Sequence, residues 1–235
     1  YTLMPSHLED MSFIRRFIGV PVRAVSTTTL SYSLSNEGTT LTVVPGADLA
    51  EVKTALGDAV SAVTELYITG DYTTTASINA LKTNYFPNLT KVHLTLQTSA
   101  TSIAASAYKN CTLLTEITIP NTITSIGSAA FSGCSSLKSM TLPFVGGSVT
   151  ATYASSSTLF GYIFGTRSYT GVSTKQYYSY DYSSTYYIPS SLKSVTITGG
   201  NLLYGAFYNC SGLTSITIPE SVTSIGSYAF QSCSG

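Results

Sequence analysis

Residues Leu114 to Ser136 read LTEITIPNTITSIGSAAFSGCSS, and residues Leu213 to Gly235 read LTSITIPESVTSIGSYAFQSCSG. These two stretches of 23 residues agree at L-T-x-I-T-I-P, at T-S-I-G-S-x-A-F and at the cysteine. Self-similarity at a fixed period marks a stacked repeat. Working outward, Leu192 to Gly212 (LKSVTITGGNLLYGAFYNCSG) is a copy of 21 residues, and Leu89 to Leu113 (LTKVHLTLQTSATSIAASAYKNCTL) reads as one of 25. A more divergent copy starts at Val63 with VTELYITG, and another starts at Leu137 with LKSMTLP before leaving the pattern.

Two periodicities give one unit its physical reading. Leu114, Ile117 and Ile119 are apolar while Glu116 and Thr118 between them are polar, the alternation of a short half-buried strand. Pro120 ends it because it cannot donate to a ladder. Ile126, Ala129, Ala130 and Phe131 are spaced for a short helical turn over the apolar side, with Gly127 and Gly133 permitting tight turns at either end. One unit cannot bury its own strand and turn. Stacked units can, with neighbouring strands about 4.8 Å apart in a parallel ladder. Phe131, Phe207 and Phe230 then form an internal column, with Tyr108 and Phe164 at the related places.

The pattern L-x-x-I-x-I-P…S-I-G-x-x-A-F-x-x-C at a 23-residue period resembles the BspA-like subclass of leucine-rich repeats, over about Leu89 to Gly235 and more weakly back to about Leu41. The resemblance implies an α/β fold: a right-handed leucine-rich-repeat solenoid with a parallel sheet on its concave side and short helical turns on its convex side. It also implies a secreted or cell-surface protein, bacterial or protist, engaged in adhesion and host interaction.

Composition narrows the function classes. Lys and Arg total 11, Asp and Glu total 11, and only 9% of residues are charged, against roughly 25% in ordinary soluble domains. Polarity comes from 36 Ser and 36 Thr. Without clustered cations the chain is unsuited to nucleic acid or to an anionic membrane surface. No apolar run reaches the ~20 residues of a membrane span. The chain opens at Tyr1 rather than Met and stops at Gly235 inside a copy of the repeat, which reads as a fragment of a longer protein.

Two regions depart from the repeat. Residues 1–25 read as an N-terminal helix or linker: Ser6 and Glu9 fit a capping box, Leu8, Met11, Ile14, Phe17 and Ile18 share a stripe, and Gly19 and Pro21 stop it. Arg15 and Arg16 equally suit the tail of a leader. Residues 26–88 read as a capping region with a divergent first repeat. It holds a linker or edge strand at Ser26 to Thr40, a strand at Leu41 to Val44, a helix from Asp48 to Val60 with Leu49, Val52, Leu56 and Val60 on one face, and a strand from Val63. Such a unit covers the open apolar end of the array. Residues 89–235 form the array proper, interrupted at about 144–191 by an insertion that carries nine of the 18 tyrosines. Within it Leu159 to Phe164 resembles the I-G-S-A-A-F turn. An insertion of distinct composition maps to a loop on one face, removable without loss of the fold. Tyrosine supplies stiff, amphipathic contact area, with Tyr177, Tyr178, Tyr180 and Tyr182 the most exposed by pattern; packing of these rings on each other and on the flank of the array is the alternative.

Chemistry-bearing residues are few. Cys111, Cys134, Cys210 and Cys233 share one repeat position, a column of small buried hydrophobes rather than disulfides or a metal site. His93 is a lone outward residue, and His7 has no identifiable partner. Asn88, Asn110 and Asn209 match the glycosylation pattern, the last two being discounted because each precedes a column cysteine. No catalytic motif is present, which argues against an enzyme and against a bound cofactor or metal; a buried carboxylate near Asp181 would reopen the question. Outward strand positions run Glu65, Tyr67; Lys91, His93; Glu116, Thr118; Ser139, Thr141; Ser194, Thr196; Ser215, Thr217. Thr suits exposed strands on propensity alone, but the row also makes a polar recognition surface. The candidate binding residues are therefore Tyr67, Lys91, His93, Glu116, Thr118, Thr141, Thr196 and Thr217 with the four tyrosines. The expectation is a monomeric, extracellular or cell-surface recognition and adhesion module, non-catalytic, binding a protein or carbohydrate partner on a host cell surface. The alternative is a structural spacer or stalk with no specific ligand.

Overall fold

The apolar alternation of each copy becomes a strand, and the strands pair side by side. The structure, a computed structural model, describes residues 32–45, 47–73, 78, 85–178 and 181–235. Its main sheet runs in the order β1 (Tyr32–Ser35), β2 (Thr40–Val43), β3 (Glu65–Gly70), β4 (Lys91–Leu96), β6 (Leu114–Thr118), β8 (Ser139–Leu142), β11 (Ser194–Ile197) and β12 (Ser215–Thr217). From β2 to β12 the neighbours are parallel, and β1 closes one edge antiparallel. Strands β5 (Ser102–Ile103) and β7 (Ser125–Ile126) form a second, short parallel pair. Strands β9 (Val172–Tyr178) and β10 (Asp181–Pro189) form an antiparallel hairpin inside the insertion. The mostly parallel sheet with little helix fits a leucine-rich repeat fold.

One inward row crosses the whole sheet: Val43, Ile68, Leu94, Ile117, Met140 and Val195 are buried in register, and Ile216 continues it half-buried at the far edge. Between β2 and β3, Leu49, Val52 and Leu56 of α1 (Leu49–Leu56) are buried as their spacing predicts, and Asp48 caps the helix by accepting from the Ala50 N–H at 2.7 Å. The expected continuation to Val60 is not α-helical. Gly57 (φ 54°) breaks the helix, and Gly57–Ala62 winds on as a tighter 3-10 turn with Val60 only half-buried. The expected N-terminal helix, with His7, lies outside the described residues.

The expected helical turn of the repeat is a correction. Residues 105–110 and their counterparts form consecutive turns. The N–H groups of Ala107, Lys109 and Cys111 bond back to Ala104, Ser106 and Tyr108, while those of Ser106, Tyr108 and Asn110 bond to Ser128, Ala130 and Ser132 of the next coil. A helix would direct every N–H along its own axis; here alternate groups point sideways and knit the coils together. This needs left-handed residues at two places per coil: Ser106, Ala129, Gly205 and Tyr228 have φ between 57° and 69°, and Asn110, Gly133, Asn209 and Ser232 between 57° and 77°. Asn and Gly suit such positions. Gly127 has a different reason to be glycine. A Cβ there would overlap the backbone of Ala104 and Ala105 in the preceding coil. Gly226 stands in the same relation to Leu203 and Tyr204.

The aromatic column forms and is longer than the repeat alone predicts. Tyr108 stacks on Phe131 (centroids 5.1 Å apart), Phe131 meets Phe164 (6.4 Å), Phe164 meets Phe160 (5.3 Å), Phe160 meets Phe207 (5.0 Å) and Phe207 stacks on Phe230 (5.6 Å). The insertion thus supplies two rings, Phe160 and Phe164, where one repeat would supply one. Complete burial of a ring such as Phe131 or Phe207 stabilises the array by roughly 1.5–3 kcal/mol relative to exposure. No disulfide links the four cysteines, and the Cys134 and Cys233 thiols donate to the carbonyls of Tyr108 (3.1 Å) and Phe207 (3.0 Å) in the preceding coil.

The insertion is docked, which corrects the expectation of a removable loop. Gln176 is wholly buried: its side-chain carbonyl accepts from the Gly161 N–H, and its Nε2 donates to the Ala206 carbonyl at 3.0 Å. Asn209 Nδ2 donates to the Lys175 carbonyl at 2.7 Å, the Tyr187 N–H reaches Gly165, and Tyr186 is buried. The hairpin therefore lies against the turn segments of neighbouring coils.

Candidate functional site

Outward side chains of the neighbouring strands β3, β4 and β6 converge within the main sheet. The Tyr67 ring lies flat on the His93 imidazole, centroids 4.1 Å apart and planes within 4°. His93 Nε2 sits 2.7 Å from Glu65 Oε1, and Nδ1 sits 3.0 Å from Glu116 Oε2. Lys91 Nζ is 3.6 Å from Glu65, and the Tyr67 hydroxyl donates to the same carboxylate at 3.4 Å. His93 is thus held by a carboxylate on either side and a ring on one face, with its side chain 18% exposed, while Tyr67 remains 41% exposed. One ring N–H donates in either neutral tautomer, and both donate when the ring is charged.

The local electrostatics follow from these contacts. The hydrogen bond from His93 holds the Glu65 carboxyl below its ordinary value, helped by the charges of Lys91 and His93 and opposed by partial desolvation. Desolvation first, and then the negative charge of Glu65, push the Tyr67 phenol up.

Register decides this arrangement. Counting from Leu89 and Leu114 as equivalent starts sets Lys91 beside Glu116. In the structure the pairing slips between Val92 and His93, so that His93 lies beside Glu116, Leu94 beside Ile117 and Thr95 beside Thr118. The copy read as 25 residues long therefore runs at the ordinary 23-residue offset from His93 onward. Thr115 absorbs the slip: it is buried, and its hydroxyl donates to the Val92 carbonyl at 2.9 Å.

The same register extends the threonine row. Thr69, Thr95, Thr118, Thr141, Thr196 and Thr217 lie side by side across six strands. Two residues back along each strand a second row runs Tyr67, His93, Glu116, Ser139, Ser194, Ser215. All six threonines are half-buried or exposed.

The insertion tyrosines are gathered elsewhere. Tyr177 packs edge-on against Tyr208 of a turn segment, centroids 5.5 Å apart. Tyr178 and Tyr182 lie in β9 and β10, and their side chains, like the whole of Tyr180, are outside the described residues. Asp181 begins β10, paired with Tyr178. Among the described residues no cluster of His, Cys, Asp and Glu is fit to hold a metal ion, and no helix is long and apolar enough to cross a membrane.

Residues 101–235 match the BspA type leucine rich repeat region in six copies. The chain belongs to the BspA-type leucine-rich repeat family. Among solved structures, this leucine-rich repeat chain is similar to the T. pallidum leucine rich repeat protein (17% identity, 86% of each chain, TM-score 0.33). It is similar also to a leucine-rich repeat protein from Eubacterium ventriosum (20% identity, 87% of this chain and 50% of that one, TM-score 0.35) and to a leucine rich cell surface protein from Faecalibacterium prausnitzii (20% identity, 89% and 46%, TM-score 0.28). No curated protein matches it.

Within this BspA-type array, sequence reasoning missed the part played by Glu65, which stood among the outward positions without a role. The signal that finds it is the ungapped alignment of Lys91–Cys111 on Leu114–Cys134, which sets His93 on Glu116 and leaves Glu65 and Tyr67 as its neighbours on the other side.

Proposed function

We propose that this chain is a non-catalytic recognition module of an extracellular or cell-surface protein, which engages a macromolecular partner through the outward face of its parallel sheet. In this reading the repeats form the right-handed solenoid of their family with that face concave, residues 26–88 cap one end, and the chain acts as a monomer. The observation that carries it is the unbroken outward row of six threonines in register beside the Tyr67–His93 pair. A face that served only to close the sheet needs neither a common register of side-chain type nor an exposed ring beside it. The docked insertion plays a part in folding here and lies away from the contact surface.

The test is a pair of arrays, one of purified extracellular-matrix proteins and one of glycans, probed with the parent chain and with Thr141→Arg/Thr196→Arg, which places bulk and charge in mid-row. Binding by the parent that the double variant loses supports the reading. Binding that the variant retains moves recognition to another face, and an empty result on both arrays favours the spacer reading.

A further inference from the structure

We propose that the partner of this face is a neutral, extended polysaccharide lying across the strands along the threonine row, with one sugar ring seated at Tyr67; this rests on the recognition reading above. The first ground is how the fold uses its hydroxyls. Threonines at the margins of the coils are spent on the scaffold: Thr64, Thr90, Thr115, Thr124 and Thr214 each donate to a carbonyl of the preceding coil. The hydroxyls of the six row threonines make no hydrogen bond to protein among the described residues. They are six equivalent donor–acceptor groups, one per strand, spaced by about 4.8 Å over about 24 Å. The ring-to-ring advance of an extended polysaccharide is close to that strand spacing of ~4.8 Å, so successive sugars meet successive hydroxyls.

The second ground is charge. From β8 to β12 both outward rows are uncharged, with Ser139, Ser194 and Ser215 beside Thr141, Thr196 and Thr217. The ionisable groups of this face, Glu65, Lys91, His93 and Glu116, lie together on β3, β4 and β6 and are engaged with one another. An anionic polymer finds no row of cations to follow, whereas a neutral one meets matching polarity throughout. The third ground is the placement of the aromatic. Protein partners are held by clustered aromatic and Arg anchors near the centre of an interface. Here the outward rows of strands β8 to β12 carry hydroxyls only, and among the described residues of the two rows a single exposed aromatic ring, Tyr67, stiffened by its stack on His93 and its bond to Glu65, stands on β3, the strand where the threonine row begins. That layout suits the apolar C–H face of a terminal sugar.

Affinity electrophoresis in gels containing xyloglucan, galactomannan or xylan, with polygalacturonate as the anionic control, tests this. The parent chain is expected to be retarded by at least one of the three neutral polymers and not by polygalacturonate, with little dependence on salt. Thr141→Val/Thr196→Val keeps the shape and the β-branch while removing two central hydroxyls, and is expected to weaken retardation about tenfold or more at an unchanged melting temperature. Tyr67→Ala should weaken it comparably. No retardation by any neutral polymer, retardation by polygalacturonate alone, or a Val double variant that binds like the parent each overturns the inference. A matrix protein bound by the parent and lost in Thr141→Arg/Thr196→Arg, with no neutral polymer bound, overturns it while leaving the recognition reading standing.

Discussion

Replacing Gln176 tests whether the tyrosine-rich insertion is part of the folded array. Its amide is wholly buried between the insertion and the turn segment that follows. On removal, the carbonyls of Ala206 and Gly205 keep partners, because they also accept from the Phe160 and Tyr208 N–H groups. The Gly161 N–H loses the acceptor it has in Gln176. Leaving such a donor buried and unpaired costs about 1–3 kcal/mol, and the lost bond from Nε2 about 1 kcal/mol more. Gln176→Met, which keeps the volume, should therefore cost about 2–4 kcal/mol. Gln176→Ala adds a cavity and should cost roughly 1–2 kcal/mol beyond that. For a chain of this size each kcal/mol moves Tm by about 2–4 °C, so Met lowers Tm by roughly 4–16 °C and Ala by more. Thermal melting followed by circular dichroism reads both, and limited proteolysis should show early cleavage within residues 167–187 in the variants. A Met variant that melts within a degree or so of the parent, with the insertion no more sensitive to protease, would refute the docked hairpin and restore the free loop.

The remaining predictions concern the coil spacing, the sheet cluster and the thiols. Gly127→Ala forces a methyl into the backbone of Ala104 and Ala105 and should destabilise by about 1–3 kcal/mol; the reverse change one coil earlier, Ala104→Gly, should cost only about 0.5–1 kcal/mol. Equal effects in urea titrations would mean that the coils are not in close contact there. Because the folded-state pKa of Glu65 is depressed, its contribution is present above the ordinary carboxylate range and lost as pH falls through the folded value. The Tm difference between the parent and Glu65→Gln should therefore be full above the ordinary carboxylate range and shrink as the pH is lowered below it; a difference independent of pH would contradict the His93–Glu65 contact. Burial pushes the Cys210 thiol well up and the Cys233 thiol up as well, but Cys233 is the less buried. In the native chain Cys233 should react first with a thiol-specific disulfide reagent, while Cys111, Cys134 and Cys210 react only on unfolding. Fast reaction of all four would mean that the column is open.

Much of the scaffold was legible from periodicity. Alternation placed the strands, and the recurring Phe and Cys placed two internal columns. The conformation of the turn is not legible in the sequence, because the spacing of Ile126, Ala129, Ala130 and Phe131 suits a helix, whereas hydrogen bonding to the next coil sets the backbone. That competition becomes visible only when a neighbour's carbonyls are in place. The outward threonines of β6 to β12 were legible as a row. Thr69 and Thr95 were not, because the leucines at 89 and 114 invited an alignment two residues out of step.

The repeat, its parallel pairing, the buried columns and the neutral, hydroxyl-rich surface follow from the order of residues, because each depends on local alternation copied at a fixed interval. The Glu65–His93–Glu116 bridge and the docking of Gln176 do not. The first depends on which residue of β4 lies beside which residue of β6, a choice made by the slip at Val92 and the burial of Thr115. The second depends on an insertion folding back over residues it is not adjacent to in the chain, where a buried amide finds partners 15 and 30 positions away. Strand register and long-range burial are properties of two segments together, and only the tertiary structure brings the two together.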